Sequence, residues 1–121
     1  MVYLVGFVIY ILFVHYLGDF ILQSRKMADN KSKSIKWLSL HVLTYTLNLF
    51  IFTSVFVFDF GVDVLYWIAL NGVLHWITDF ITSKFTTHFY KKEDWKSFFS
   101  VVGLDQFIHG ATLIGTLLMW M

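Results

Sequence analysis

Four times along this chain, apolar residues run on for roughly the 20 positions that an α-helix needs to cross a bilayer. The stretches cover about Val2 to Leu22, Trp37 to Phe58, Val62 to Thr82 and Phe98 to Met121. The third is the weakest. The pattern predicts an all-α polytopic membrane protein with four transmembrane helices in a single domain, residues 1–121. The first stretch has no basic start and no A-x-A-like site, and its apolar run is too long for a cleaved signal peptide. It is expected to stay as a helix.

Composition agrees with the pattern. Of the 121 residues, 58% are hydrophobic and only 14% charged, against about 25% charged in a typical soluble domain. The chain has no cysteine, which excludes disulfides and thiolate metal sites. The net charge of +1 says little, but the placement of the charges says much. Arg25, Lys26, Lys31, Lys33 and Lys36 lie between the first two stretches, and Lys84, Lys91, Lys92 and Lys96 between the last two. The middle connection has Asp59 and Asp63 and no basic residue. The positive-inside rule then puts loops 23–36 and 83–97 in the cytoplasm, with both termini outside an inner (cytoplasmic) membrane. Trp37 and Trp95 beside the basic loops, and Trp67 and Trp120 toward the other side, read as interfacial anchors. The aromatic and lysine mixture from Phe85 to Phe99 reads either as a short helix lying on the membrane surface or as a polar loop. The expected partners are the lipid bilayer and further copies of the chain, with no nucleic acid.

The chain repeats itself. His15-Tyr16-Leu17-Gly18-Asp19-Phe20-Ile21 and His75-Trp76-Ile77-Thr78-Asp79-Phe80-Ile81 share the pattern H-aromatic-x-x-D-F-I. Leu40-His41-Val42-Leu43-Thr44 parallels Ile108-His109-Gly110-Ala111-Thr112. Two helical hairpins, residues 1–58 and 62–121, are therefore expected in the same orientation, related by an axis along the membrane normal.

Each hairpin carries its chemistry inside the predicted membrane. His15 and Asp19 are four residues apart and share a helix face, as do His75 and Asp79, while Asp105 and His109 reverse the order. Asn71 extends the His75 face by a turn, and Gln23 and Gln106 are close neighbours. At about 1.5 Å per residue, these groups and His41 lie at similar depths in the half of the membrane nearer the basic loops, which points to one convergent site. A central aspartate costs about 2.5–3.5 kcal/mol to insert. Asp19, Asp79 and Asp105 have no lysine or arginine within the spans to balance them, and a divalent cation would supply the missing charge. Imidazole and carboxylate suit zinc, manganese, iron or nickel, and zinc accepts both at roughly 2.0–2.2 Å. His15, His41, His75, His109, Asp19, Asp79 and Asp105 exceed what one tetrahedral zinc takes. They imply one or two ions, or aspartates that orient histidines. A proton or ion relay, or a hydrogen-bond network holding the helices together, are the other readings. His88 reads as a surface residue, and Gly18, Gly72 and Gly110 as sites of close helix approach.

The ordered set His15-x-x-x-Asp19-Phe20-x-x-Gln23, His41, Asn71-x-x-x-His75-x-x-x-Asp79 and Asp105-Gln106-x-x-His109 resembles domain-of-unknown-function family 3307, small membrane proteins of bacteria and phages. The resemblance covers nearly the whole chain and implies a membrane location, but no activity. A looser likeness is to bacterial inner-membrane proteins labelled metal-dependent hydrolases.

Three functions are in contention. In a membrane-embedded metal-dependent hydrolase, the histidines would hold the ion, Asp19 or Asp79 would act as general base, and Arg25, Lys26 and Lys84, with Gln23, Asn71 and Gln106, would bind a phosphorylated or lipid-linked substrate. The others are a small proton, ion or metabolite carrier, and a phage or bacterial interaction protein whose polar cluster is structural.

Overall fold

The first apolar stretch folds as helix α1, Val2–Tyr16, and runs into a π-helical turn, Leu17–Ile21. A short helix α2, Arg25–Asn30, follows. Helices α3, Ile35–Thr53, α4, Asp63–Lys91, and α5, Trp95–Trp120, complete the chain. The computed structural model describes residues 1–54 and 61–120, apart from the side chain of Trp120. Asp59 and the anchor role of Trp120 thus lie outside the described residues. Among the described residues, four helical spans are long and apolar enough to cross a membrane.

The sorting of side chains is inside-out. Val5, Ile9, Phe13, Leu47, Ile51, Val73, Phe107 and Leu118 are exposed, while His15, Asp19, His41, Asn71, His75, Asp79, Asp105 and His109 are buried. In water so much exposed apolar surface would drive association; around four spanning helices it is the face that meets lipid. Inside, the bundle divides into two layers. Ile11, Leu49, Trp67, Ile68, Leu113 and Leu117 form an apolar plug with Val14, Tyr45 and Val64. Counted from the histidine on each helix, most of these positions lie on the side away from the basic loops. The polar residues occupy the other layer.

Several expectations change at the helix ends. The segment Phe85–Phe99 is neither a surface helix nor a polar loop. Helix α4 continues through it to Lys91, a tight turn follows, and α5 begins at Trp95. The turn closes α4 with the amide of Asp94 donating to the carbonyl of Phe89, and it places Glu93 at φ 55°, a left-handed helix stop. Asp94 then caps α5 by accepting from the amide of Ser97, and the Ser97 hydroxyl and amide together hold its carboxyl below the ordinary range. At 29 residues and about 1.5 Å per residue, α4 is longer than a bilayer core of about 30 Å requires. Trp67 is no interfacial anchor. It is 2% exposed and donates its indole N–H to the carbonyl of Leu113, because an indole buried among helices needs an acceptor.

Two glycines serve close approach and one does not. A β-carbon on Gly18 would stand 2.8 Å from Asn48 Nδ2 and 2.9 Å from a ring carbon of Tyr45, and one on Gly72 would stand 2.7 Å from Thr46 Oγ1. At Gly110 it would meet only Leu12, at an ordinary 3.8 Å. The Gly18 contact matters most, since Asn48 there donates to the carbonyl of Val14 and ties α3 to α1. Gly18→Val is expected to destabilise the bundle by about 1–3 kcal/mol through overpacking, with Gly110→Ala near neutral, as read by thermal unfolding in detergent. Equal stability of the two variants would refute the tight α1–α3 approach.

Candidate metal centre

All four spanning helices deliver an imidazole or carboxylate to the polar layer. On α1 the backbone departs from α geometry just where Asp19 lies: the amide of Leu22 bonds back five residues to Leu17. Such π turns are rare and frequent at functional sites. The matching stretch of the second repeat, around Asp79, stays α-helical, so the two repeats differ where they carry their aspartates.

Four side-chain atoms converge at the centre. His41 Nε2 lies 3.1 Å from each of His75 Nε2, Asp19 Oδ1 and Asp79 Oδ2. His75 Nε2 lies 3.5 Å from the same two carboxylate oxygens. Ligands at about 2.0–2.1 Å from one zinc ion stand about 3.3–3.4 Å apart at the corners of a tetrahedron. Five corner-to-corner distances of this set therefore fall at or near the tetrahedral value. Protons satisfy the arrangement poorly. An imidazole Nε2 carries at most one hydrogen, yet His41 Nε2 faces two carboxylates and a second imidazole. Asp19 Oδ1 has no hydrogen-bond donor, and neither His41 Nδ1 nor His75 Nδ1 has a partner. One cation at the centre would serve all four atoms at once.

The neighbours hold this set in place. The His75 ring is stacked between Tyr45 and His109, each 3.9 Å away centroid to centroid. Asp79 is fully buried, and its other oxygen, Oδ1, lies 2.9 Å from His109 Nε2. His109 Nε2 is also 3.2 Å from Asp105 Oδ2. Asp19, Asp105 and His109 make a second group with metal-ligand proximity, sharing Asp19 with the first. His15 is placed differently from His41 and His75, because both its nitrogens are engaged: Nδ1 with the Tyr45 hydroxyl at 3.0 Å and Nε2 with Gln106 Oε1 at 2.9 Å. Gln106 links the groups, its amide nitrogen donating to Asp19 Oδ2 at 2.7 Å and Asp105 Oδ2 at 3.0 Å.

The balance of charge differs from the sequence expectation. Lys31, in the first basic loop, reaches down and donates to Asp79 Oδ2 at 2.9 Å. Burial lowers the pKa of this ammonium, but Asp79, Asp19 and Asp105 more than offset that, and the net direction is upward. One counter-charge is thus built in. Three aspartates against one lysine still leave the cluster negative when the imidazoles are neutral.

Of the other residues singled out in the sequence, Gln23 reaches the edge of the cluster and the rest do not gather here. Arg25 is exposed and 3.9 Å from Asp29, and Lys26 is exposed on the same short helix. Lys84 lies over the ring of Phe80 and donates to its own helix at the carbonyl of Phe80. Asn71 sits a turn deeper than His75, bonded to Thr116 and to the carbonyl of Trp67, where it joins α4 to α5. Gln23 lines a polar cavity of about 200 Å³ beside the cluster, together with Asp19, Lys31, Thr82, Ser83, Asp105 and Gln106. His88 is exposed, as expected. The missed residues are Lys31, Tyr45, Thr82 and Ser83. Tyr45 and Thr82 carried a legible signal, each lying one turn or nearly so from a site residue on its own helix; Lys31 carried none, being one lysine among five in its loop.

A family model described as a protein of unknown function (DUF3307) matches residues 7–121, in line with the ordered motifs. No curated protein and no solved structure matches the chain.

Proposed function

We propose, for this chain, which belongs to the DUF3307 family and inherits no activity from that description, that it is a membrane-embedded metal-dependent hydrolase of a phosphorylated or lipid-linked substrate. The observation that carries the reading is the setting of the donor set. Asp19, His41, His75 and Asp79 meet at tetrahedral spacing between an apolar plug on one side and a polar cavity on the other. A structural network would have no need of the cavity, and a carrier would need a polar path through the plug. The site opens toward the lysine-rich loops, which the charge pattern assigns to the cytoplasm.

A divalent ion, zinc by its donors, supplies Lewis acidity toward a phosphoryl oxygen and makes water more acidic when bound. The four-residue set would hold one such ion, and zinc can add a fifth ligand from the cavity side. Asp19, Asp105 and His109 also lie within ligand range of one another, but in this reading Asp105 is kept for proton transfer.

The cavity wall carries Asp19 and Asp105 but not Asp79. Asp79, held by Lys31 and His109 away from that wall, suits a ligand rather than a base. Asp105 suits proton transfer. Thr82 donates to its Oδ1 at 2.6 Å and fixes the carboxylate, while Oδ2 faces His109. An attacking water in the cavity gives its proton to Asp105, and His109 stabilises the pair; the same proton then goes to the leaving oxygen. Asp105→Asn, assayed at saturating zinc, is expected to keep the ion of the four-residue set and to lower hydrolysis of p-nitrophenyl phosphate or dodecyl phosphate by about 100-fold or more. Zinc-loaded wild type that hydrolyses neither ester would overturn the reading.

A further inference from the structure

The polar cavity has a chemical bias of its own. Its lining includes one ammonium, Lys31, and three hydroxyls, Thr82, Ser83 and Thr86. Hydroxyls inside this bundle are mostly spent: Thr44, Thr46, Thr53 and Thr78 donate to the carbonyl a turn back, and Thr82 donates to Asp105. Ser83 is not. It is 4% exposed, and its Oγ has no hydrogen-bond partner. A buried hydroxyl left unpaired costs stability, so an unspent donor on a cavity wall, in the same lining as a lysine, is a group held ready for an acceptor. Gln23 Oε1, in the same wall, is likewise buried without a partner.

A second feature adjoins it. Thr82 also lines an apolar groove of about 400 Å³ between α4 and α5, walled by Ile77, Ile81, Phe85, Val101, Leu104 and Ile108. Ile77, Ile81, Phe85 and Leu104 are exposed on the outer surface of the bundle, where spanning helices meet lipid. The polar cavity and the apolar groove thus stand on two sides of one residue, and Phe20, Phe98 and Val102 give the cavity an apolar lip.

We propose that the substrate is an amphiphile with a phosphate head, the head taken by Lys31 and Ser83 in the cavity and the hydrocarbon chain lying in the α4–α5 groove. This rests on the metal reading above. With three aspartates facing a single lysine, a phosphate enters only once a divalent cation cancels the remaining negative charge. Charge-assisted bonds from Lys31 and a hydroxyl bond from Ser83 then orient the head, and burial of the chain selects a lipid phosphate over a free one.

The test is binding at saturating zinc in a non-ionic detergent, with inorganic phosphate and dodecylphosphonate, whose P–C bond is not hydrolysed, as probes, by calorimetry. Wild type is expected to bind dodecylphosphonate at least about tenfold more tightly than inorganic phosphate, a margin that burial of only a few methylenes supplies. Ser83→Ala, which removes a hydroxyl bonded to none of the metal-set residues, is expected to weaken both probes about tenfold with zinc content unchanged, and Lys31→Met to weaken both at least as much. Leu104→Trp, which fills the groove, should remove the preference for the chain and leave inorganic phosphate as in wild type. Equal affinity for the two probes, or a Ser83→Ala protein that binds both as wild type does, would overturn the proposal while leaving the metal centre intact. Wild type that takes up no zinc would instead remove the metal reading itself. Lys31→Arg keeps the charge and is expected to restore part of the binding lost in Lys31→Met, which separates loss of a head-group contact from loss of the fold.

Discussion

His75→Ala protein, purified in detergent and compared with wild type by elemental analysis, is expected to bind zinc about 100-fold more weakly or worse. Removing a group that merely orients a ligand costs about 10–100-fold in metal affinity, and His75 supplies one of four converging atoms. The ring is also held by stacking on Tyr45 and His109, so alanine removes a ligand and opens a gap. His41→Ala should behave alike, because its Nε2 is within 3.1 Å of the other three atoms. His15→Ala provides the contrast. Its nitrogens are spent on Tyr45 and Gln106, and its loss should weaken zinc only through the loosened Gln106, within the range of an orienting group. The discriminating result is the order of the three variants. Equal loss from His15→Ala and His75→Ala would place the ion elsewhere, and a wild type free of stoichiometric metal would leave the cluster as a hydrogen-bond network.

Asp79→Ala is expected to be the most destabilising single change in the bundle, by about 3–5 kcal/mol, the usual consequence of breaking one side of a buried ion pair. Asp79 accepts from Lys31 at 2.9 Å, lies 2.9 Å from His109 Nε2 and is fully buried. Its removal leaves an ammonium, 18% exposed as a side chain, without a counter-charge at 2.9 Å. Thermal unfolding of the metal-free protein in detergent measures the loss without the contribution of bound zinc. Adding Lys31→Met to Asp79→Ala removes the orphaned charge, and the double variant should recover part of the stability. A double-mutant cycle gives the coupling. Purely additive effects would mean that the Lys31 bond to Asp79 carries no weight in solution.

Much of this architecture is written locally. Four apolar runs of span length fix four helices, since a backbone in lipid must satisfy its own hydrogen bonds. The four-residue spacing of His75 and Asp79 puts both on one face at any helix packing, and the ordered motifs suffice to place the chain in its family. The ends of the helices were less legible. The stretch from Phe85 to Lys91 continues α4 because nothing in it breaks a helix, and the stop comes only with the left-handed turn at Glu93. The π turn at Asp19 has no counterpart at Asp79, so the His, Asp, Phe and Ile that the two motifs share do not dictate it.

The roles within the cluster belong to the tertiary structure alone. Sequence offers four similar intramembrane histidines, and only the packing makes His41 and His75 face the carboxylates while His15 turns to Tyr45 and Gln106, partners 30 and 91 residues away. Lys31 is one of five basic residues in its loop, and its side chain is long enough that its position along the chain does not say where its charge rests. Periodicity reports which side of a helix is buried. Which atoms meet there depends on the rotation and approach of all four helices together, set by contacts such as Gly18 against Asn48 that no local pattern encodes.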